Sequence, residues 1–401
     1  MSWEKVAIKN ICKGIYDGPH ATPPMSDTGA IFLGISNFNN GRLDLSDIRY
    51  ISENDLPKWT KRVVPKANDI VFSYEATLNL YAIIPDNFRG CLGRRMALIR
   101  VDEEKAYYKF LYYYFYSDAW RTVIQENTVL GATVDRIPLI KFPDFPIYLP
   151  PIKTQRRIAD ILSAYDDLIE NNRKQIKLLE EAAQRLYKEW FVDLRFPGYE
   201  HTKIMDGVPE GWKKSTVLSA SSVLRRGISP RYNDLANYMV INQKCIRQTV
   251  VSFEEARNQE KPYSPEMNLQ DSDTVICSTG AGTLGRVGQI FGNYPNTTFD
   301  SHVTLVRAMP NIGPQYLFWF LKSKQEFLMG MGKGSTNQLE LSRGTIQDLT
   351  ILVPTEKVVQ KFEVLAQDIH DKISVANNEI TRLKNARDYL LSKLMSEEVE
   401  V

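Results

Sequence analysis

The chain carries nearly the same segment twice. DFPIYLPPIKTQRRIADIL begins at Asp144 and DLTILVPTEKVVQKFEVL begins at Asp348, with Pro150 and Pro354 in matching places, 204 residues apart in a chain of 401. A period this long is not that of a solenoid, so the pattern means two copies of one module joined in tandem. Other matches keep almost the same offset. Trp3 stands fifteen residues before Gly18, as Trp212 does before Gly227. NDIVFS (residues 68–73) answers SDTVICS (272–278), MALIR (96–100) answers VTLVR (303–307), and Gly131-Ala132-Thr133 answers Gly334-Ser335-Thr336. Each half therefore reads as about 150 residues of mixed structure followed by a long helical pattern.

The helical pattern is a heptad seam. Ile158, Tyr165, Asn172, Leu179 and Leu186 recur every seven residues, interleaved with Leu162, Ile169, Ile176, Ala183 and Trp190. The second copy gives Phe362, Ile369, Ala376, Leu383 and Leu390, interleaved with Ala366, Ile373, Ile380, Arg387 and Leu394. Neither helix can bury this seam alone, so the two are expected to pair with each other, Ile169 packing with Ile373. Roughly forty residues at about 1.5 Å rise make a rod on the order of 60 Å. An antiparallel pair of that length is expected to hold the two modules apart. Asn172 interrupts the seam either as a buried register-setting residue or as a solvated gap.

Composition excludes several classes. With 43% hydrophobic residues, 24% charged residues and no apolar run near twenty, the chain can bury several cores and is not expected to span a membrane. The N-terminal MSWEKVAIKN lacks an apolar signal core, which points to a cytoplasmic protein. Cys12, Cys91, Cys245 and Cys277 show no CxxC spacing and read as reduced thiols, and His20, His201, His302 and His370 show no metal-site spacing. A net charge of +2 does not by itself announce nucleic-acid binding. The local clusters Arg94-Arg95, Lys213-Lys214, Arg225-Arg226 and Arg231-Tyr232 are more suggestive, because DNA contact needs positive charge beside backbone that can approach closely.

Three catalytic patterns fail on context. Gly280 to Gly285 matches GxGxxG, but RVGQIF alternates like a strand where a dinucleotide site requires a helix, so the segment reads as a hairpin loop. Pro85-Asp86 with Glu103-Glu104-Lys105 resembles a metal-dependent nuclease pattern that the second copy lacks. Gly332-Lys333 is followed by Gly334 where a phosphate loop has Ser or Thr. No motif for adenosylmethionine binding or base methylation is present, and the chain reads as a binder.

The block from Leu149 to Glu200, LPPIKTQRRIADILSAYDDLIENNRKQIKLLEEAAQRLYKEWFVDLRFPGYE, followed by VPEGW (208–212), closely resembles the central region of Type I restriction-modification specificity subunits. DGPHATP (17–23), ISNF (35–38), INQKCIR (241–247) and GSTNQLELSR (334–343) are similar to recurrent segments of that family's recognition domains. The resemblance covers the whole chain. It implies an α+β fold of two tandem pseudo-symmetric target-recognition domains, residues 1–148 and 208–351, separated by a long antiparallel two-helix coiled coil. The helices would occupy 149–190 and 352–396, with a linker over 191–207.

The implied role is non-catalytic. Each recognition domain would read one half of a bipartite, asymmetric DNA site in the major groove, and the helices would set the unread spacer. Two modification subunits and two motor-nuclease subunits would supply methylation and cleavage. Adenosylmethionine, ATP and Mg²⁺ would belong to those partners, and no cofactor to this chain. Loop-borne side chains able to reach phosphates or base edges are His20, Thr22, Asn37, Arg94, Thr133 and Arg136 in the first domain. In the second they are Arg226, Arg231, Asn242, Gln243, Lys244, Thr336, Asn337 and Arg343. Asp17 and Asp44 fit turn roles equally well. Ile158, Leu162, Ile169, Ile176, Leu179, Phe362, Ile369, Ile373, Ile380 and Leu383 are the expected pairing residues of the helices. Two rivals remain: a specificity subunit of another restriction class, and a coiled-coil scaffold with no DNA role.

Overall fold

Runs such as NDIVFS and MALIR are apolar at nearly every position, which in a strand means burial on both faces. The computed structural model describes residues 3–131, 134–280, 282–332 and 340–399, and these runs form the inner strands of a sheet. In chain order the first domain gives β1 (Glu4–Ala7), β2 (Cys12–Asp17), β3 (Ala30–Leu33), β4 (Arg49–Ile51), β5 (Ile70–Ser73), β6 (Tyr81–Ile83), β7 (Gly90–Leu92) and β8 (Met96–Val101). Helices α1 (Tyr108–Tyr114) and α2 (Asp118–Asn127), strand β9 (Pro146–Leu149) and the long α3 (Ile152–Tyr187) follow. The sheet is antiparallel in the order β2-β8-β5-β6, beside a three-stranded sheet β4-β3-β7 and the pair β1-β9.

The second domain repeats this plan. It gives β10 (Lys213–Thr216), β11 (Ser221–Arg226), β12 (Tyr238–Ile241), β13 (Arg257–Gln259), β14 (Thr274–Cys277), β15 (Val287–Gln289), β16 (Thr297–Phe299) and β17 (Val303–Ala308). Then come α4 (Pro314–Ser323), α5 (Arg343–Gln347), β18 (Thr350–Val353) and the long α6 (Glu356–Met395). Its sheets run β11-β17-β14-β15, β13-β12-β16 and β10-β18, the same three orders. In each three-stranded sheet one pair is parallel, β3 with β7 and β12 with β16.

Alternation along the inner strands sends side chains into two cores. Ile70, Phe72, Ala97 and Ile99 join Phe110, Trp120 and Phe142, while Val71, Met96 and Leu98 join Leu33, Ala82 and Leu92. In the second domain Ile276 and Val306 join Tyr316 and Leu317, and Val275, Cys277, Val303 and Leu305 join Ile241 and Phe299. A buried ion pair is also built twice. Arg100 donates to both oxygens of Asp69 at 2.9 and 2.6 Å, and Arg307 to both oxygens of Asp273 at 2.7 Å. Each carboxylate also accepts a backbone N–H at 2.8 Å, from Lys66 and from Gln270.

The long helices begin at Ile152 and Glu356, a few residues after the expected 149 and 352. Pro150 and Pro354 force the residue before them into extended backbone, and the segments ending at Leu149 and Val353 are strands β9 and β18. At its other end α3 passes into a π-helical turn, Lys188–Val192. The chain folds as two compact units, Met1–Glu170 with Thr381–Val401, and Asn171–Ile380. Both unit boundaries fall inside the long helices, whose side chains join each unit's core.

In the first unit, Ile158, Ala159 and Leu162 of α3 share the core of Phe110 and Trp120 with Leu394 and Met395 of α6. Asp166 accepts from Arg387 at 2.6 Å and from the Tyr113 hydroxyl at 2.6 Å. The early part of α3 therefore runs beside the late part of α6, an antiparallel arrangement. In the second unit Ala183, Tyr187 and Trp190 share a core with Phe362 and Ala366. Ile169 belongs to the first unit and Ile373 to the second. Of the other expected pairing residues Ile158, Leu162, Phe362 and Ile380 are buried, and Ile176, Leu179, Ile369 and Leu383 half-buried. Asn172 is buried, only 6% exposed, which removes the solvated-gap reading. No helix among the described residues is long and apolar enough to cross a membrane.

Two stability predictions follow from these contacts. Asp69→Ala leaves the guanidinium of Arg100 without its carboxylate in a nearly buried site, and is expected to cost about 3 kcal/mol in urea unfolding. Glu363 of α6 accepts the Gln315 and Tyr316 N–H groups at the start of α4, at 3.2 and 2.7 Å. Burial nonetheless raises its pKa to about 7, the two N–H groups opposing the rise. Its folded pKa lies above the ordinary 4.5 of the unfolded chain, so the folded state holds the extra proton between those values and loses stability as pH rises through about 7. Relative to Glu363→Gln, the wild-type protein is expected to lose up to about 3 kcal/mol between pH 5 and pH 8. Parallel pH profiles for the two proteins would contradict this.

Candidate nucleic-acid interface

At one end of each four-stranded sheet the chain makes the same hydrogen-bonded frame. In the first domain Gly18 N–H donates to Met96 O at 2.8 Å, Tyr74 N–H to Arg95 O at 3.1 Å, and Ile137 N–H to Tyr74 O at 2.7 Å. In the second, Gly227 N–H donates to Val303 O at 3.0 Å, Ser278 N–H to His302 O at 2.8 Å, and Leu341 N–H to Ser278 O at 2.8 Å. A β-bridge links Glu75 to Arg136 in one and Thr279 to Glu340 in the other. The matched glycines are required by close approach. A Cβ on Gly18 would lie 2.5 Å from Gly93 O, and one on Gly227 2.1 Å from Phe299 O.

The frames match but their side chains do not. In the first domain Arg62 pairs with Asp17, which also binds His20 Nε2 at 3.0 Å, and His20 Nδ1 lies 3.4 Å from the Tyr74 hydroxyl. Burial, with a smaller contribution from Asp17, pushes the Tyr74 hydroxyl up to about 12, so it remains a donor at neutral pH. Arg95 Nε is 3.2 Å from Glu75 Oε1. Arg94, Arg136 and Thr22 are exposed. The second domain places Arg226 against Glu340 and the Leu341 carbonyl, the latter at 2.8 Å. Thr279 Oγ1 lies 2.6 Å from His302 Nδ1 and 3.3 Å from Gln243 Oε1. Arg231, 3.5 Å from Glu260, is exposed, as are Lys244 and Arg343.

Several expected site residues have other tasks. Asn37 is buried, accepting from Gly34 N–H at 2.8 Å and donating to the carbonyls of Asp44 and Asp47. Its amide is used up inside the loop and cannot reach a base edge. Asn242 caps a short 3₁₀ turn, accepting from Lys244 N–H at 2.8 Å and donating to Glu255 O at 2.7 Å. Asp44 likewise holds a turn through Ser46. Thr133, Thr336 and Asn337 lie outside the described residues. The sequence reading took Arg95 only as part of a basic cluster and did not select Arg62, Tyr74, Glu75, Thr279 or His302. For all but Arg62 the signal is the point where the two matched copies stop agreeing, just after NDIVFS and SDTVICS and just before MALIR and VTLVR.

Gly280 and residues 282–285 lie in the connection between β14 and β15, which pair antiparallel. Asp86, Glu103 and Glu104 are exposed, and no group of three or more His, Cys, Asp or Glu is placed to hold a metal ion among the described residues. Burial raises all four cysteine thiols, three of them to about 12 and Cys245 to about 11, which keeps them as unreactive thiols.

Comparison with known proteins agrees with this arrangement. Residues 2–181 match the family model of the Type I restriction modification DNA specificity domain. The specificity subunit of the Type I restriction enzyme MjaIX from Methanocaldococcus jannaschii is 24% identical over 364 residues, covering 88% of this chain and 82% of that protein. The HindI specificity subunit from Haemophilus influenzae is 22% identical over 451 residues, covering 92% and 94%. The crystal structure of the S subunit of a Type I restriction-modification system from M. genitalium has the same fold, with a TM-score of 0.55 at 16% identity over 98% of this chain and 96% of that one. Over most of its length the chain is therefore similar to the specificity subunits of Type I restriction enzymes, and residues 2–181 match their DNA specificity domain.

Two substitutions separate the roles given above. Arg94→Ala removes an exposed cation and is expected to leave the melting temperature unchanged while lowering the salt dependence of DNA binding by about one phosphate contact. Asn37→Ala leaves buried backbone groups unpaired and is expected to cost about 2 kcal/mol of stability. Binding titrations at several salt concentrations, together with thermal unfolding, check both.

Proposed function

We propose that this chain chooses the DNA sequence on which its partners act, each recognition domain reading one half of a bipartite, asymmetric site in the major groove. The observation that carries the reading is the pair of matching frames with different polar side chains, since a fixed backbone with exchangeable side chains suits two different half-sites. The pairing helices α3 and α6 set the number of unread base pairs between the halves, acting as a ruler against a repeat of about 10.5 base pairs per turn. Two modification subunits, which methylate a base flipped out of the stack, and two motor-nuclease subunits complete the assembly. Adenosylmethionine, ATP and Mg²⁺ are bound by those partners. A scaffold without a DNA role gives no reason for two such rims.

Domain exchange tests the division of labour. Replacing residues 1–148 with the equivalent domain of a relative is expected to change one half of the methylated motif and leave the other intact. Methylome sequencing of cells co-expressing the exchanged chain with its modification subunits gives the answer. Changes in both halves, or in neither, would refute the modular reading.

A further inference from the structure

Each rim carries one side-chain pair at the same two places of its frame. The backbone bond from Tyr74 N–H to Arg95 O puts Glu75 beside Arg95, and the bond from Ser278 N–H to His302 O puts Thr279 beside His302. Glu75 and Arg95 form an ion pair at 3.2 Å, whereas Thr279 Oγ1 and His302 Nδ1 meet at 2.6 Å with Gln243 joining through Thr279. One backbone arrangement thus presents a carboxylate-held guanidinium in one domain and a hydroxyl–imidazole–amide set in the other.

Arg95 is also conformationally costly. Its φ of +71° lies in the left-handed region, where a residue with a long side chain is uncommon and strained. Glycine would suit the turn better, so the side chain is the reason for the arginine. A role in general attraction to phosphates does not explain it. Neighbouring Arg94 is exposed, while Arg95 is only one-third exposed, its charge already compensated by Glu75. A guanidinium whose charge is already compensated adds little sequence-independent affinity. Its parallel N–H donors match the O6 and N7 acceptors of guanine, a pattern that no other base shows in the major groove.

We propose that this pair of positions, 75 with 95 and 279 with 302, is where each domain reads a base pair, and that Arg95 reads a guanine with Glu75 as its positioning residue. The second domain, with His302, Thr279 and Gln243 in place of the fork, reads a different base at the corresponding step of its half-site. The assignment rests on the function proposed above and names the residues that carry it.

The test uses the complex of the full chain with its modification subunits. The wild-type methylated motif is determined first, and binding is then measured on duplexes in which each base pair of that motif is replaced in turn. Arg95→Lys keeps the charge and loses the fork, so discrimination at one G·C pair is expected to fall on the order of ten- to a hundred-fold. The other half-site should be unaffected. Arg95→Ala should do the same with weaker binding, Glu75→Gln should lower discrimination at that same pair to a smaller extent, and His302→Ala should alter only the other half-site. If Arg95→Ala fails to fold, shown by its melting curve, the lysine variant carries the test. Equal weakening on every duplex would make Arg95 a phosphate contact and overturn the assignment, as would unchanged preference at every guanine. Absence of any bipartite motif with the wild-type chain would instead overturn the proposed function.

Discussion

A helix with an apolar seam every three to four residues is unstable until something covers the seam, and the organisation of this chain follows from how that need is met. In the first unit Ile158, Ala159 and Leu162 of α3 enter the recognition domain's own core together with Leu394 and Met395 of α6. In the second, Ala183 and Tyr187 of α3 and Trp190 of the π-helical turn do so with Phe362 and Ala366 of α6. Each domain core is thus completed by both helices, and no clean boundary divides domain from helix. The polar contacts follow the same logic. Arg387, the one charged residue in an otherwise apolar seam row, is explained by Asp166, which it meets at 2.6 Å while Tyr113 holds the other carboxylate oxygen.

Seating a domain on its helices by burial fixes the sheet, and the sheet in turn fixes the rim. The inner strands are packed on both faces, so little freedom remains at their ends, and the Arg100–Asp69 and Arg307–Asp273 pairs brace the opposite side of the same strands. Side chains can then differ between the two rims without disturbing the frame, because the frame's bonds run between backbone atoms. This is how two rims with different side chains share one backbone architecture.

Parts of the site were legible in the sequence and parts were not, for identifiable reasons. Arg94, Arg231 and Lys244 are exposed cations in loops and turns and Arg343 is exposed at the start of α5, as their composition and turn-rich surroundings indicated. Asn37 and Asn242 hold their loops together, which the sequence does not distinguish from facing outward, because only the positions of carbonyls such as Asp44 O and Glu255 O separate the two. Glu75, Arg95, Thr279 and His302 went unselected because each becomes notable only beside its partner, twenty or more residues away in the chain.

The sequence by itself determined the duplication, the long helices with their apolar seams and the alternation that makes inner strands, since all depend on periodicity and on repetition along the chain. Only the tertiary structure decided which residues each helix meets within its own unit, such as Arg387 for Asp166, and the burial of Asn172. It also decided which polar residues of each rim come together. Periodicity specifies which face of an element is buried, but not the partner that covers it, and partnership between distant residues is settled by packing in three dimensions.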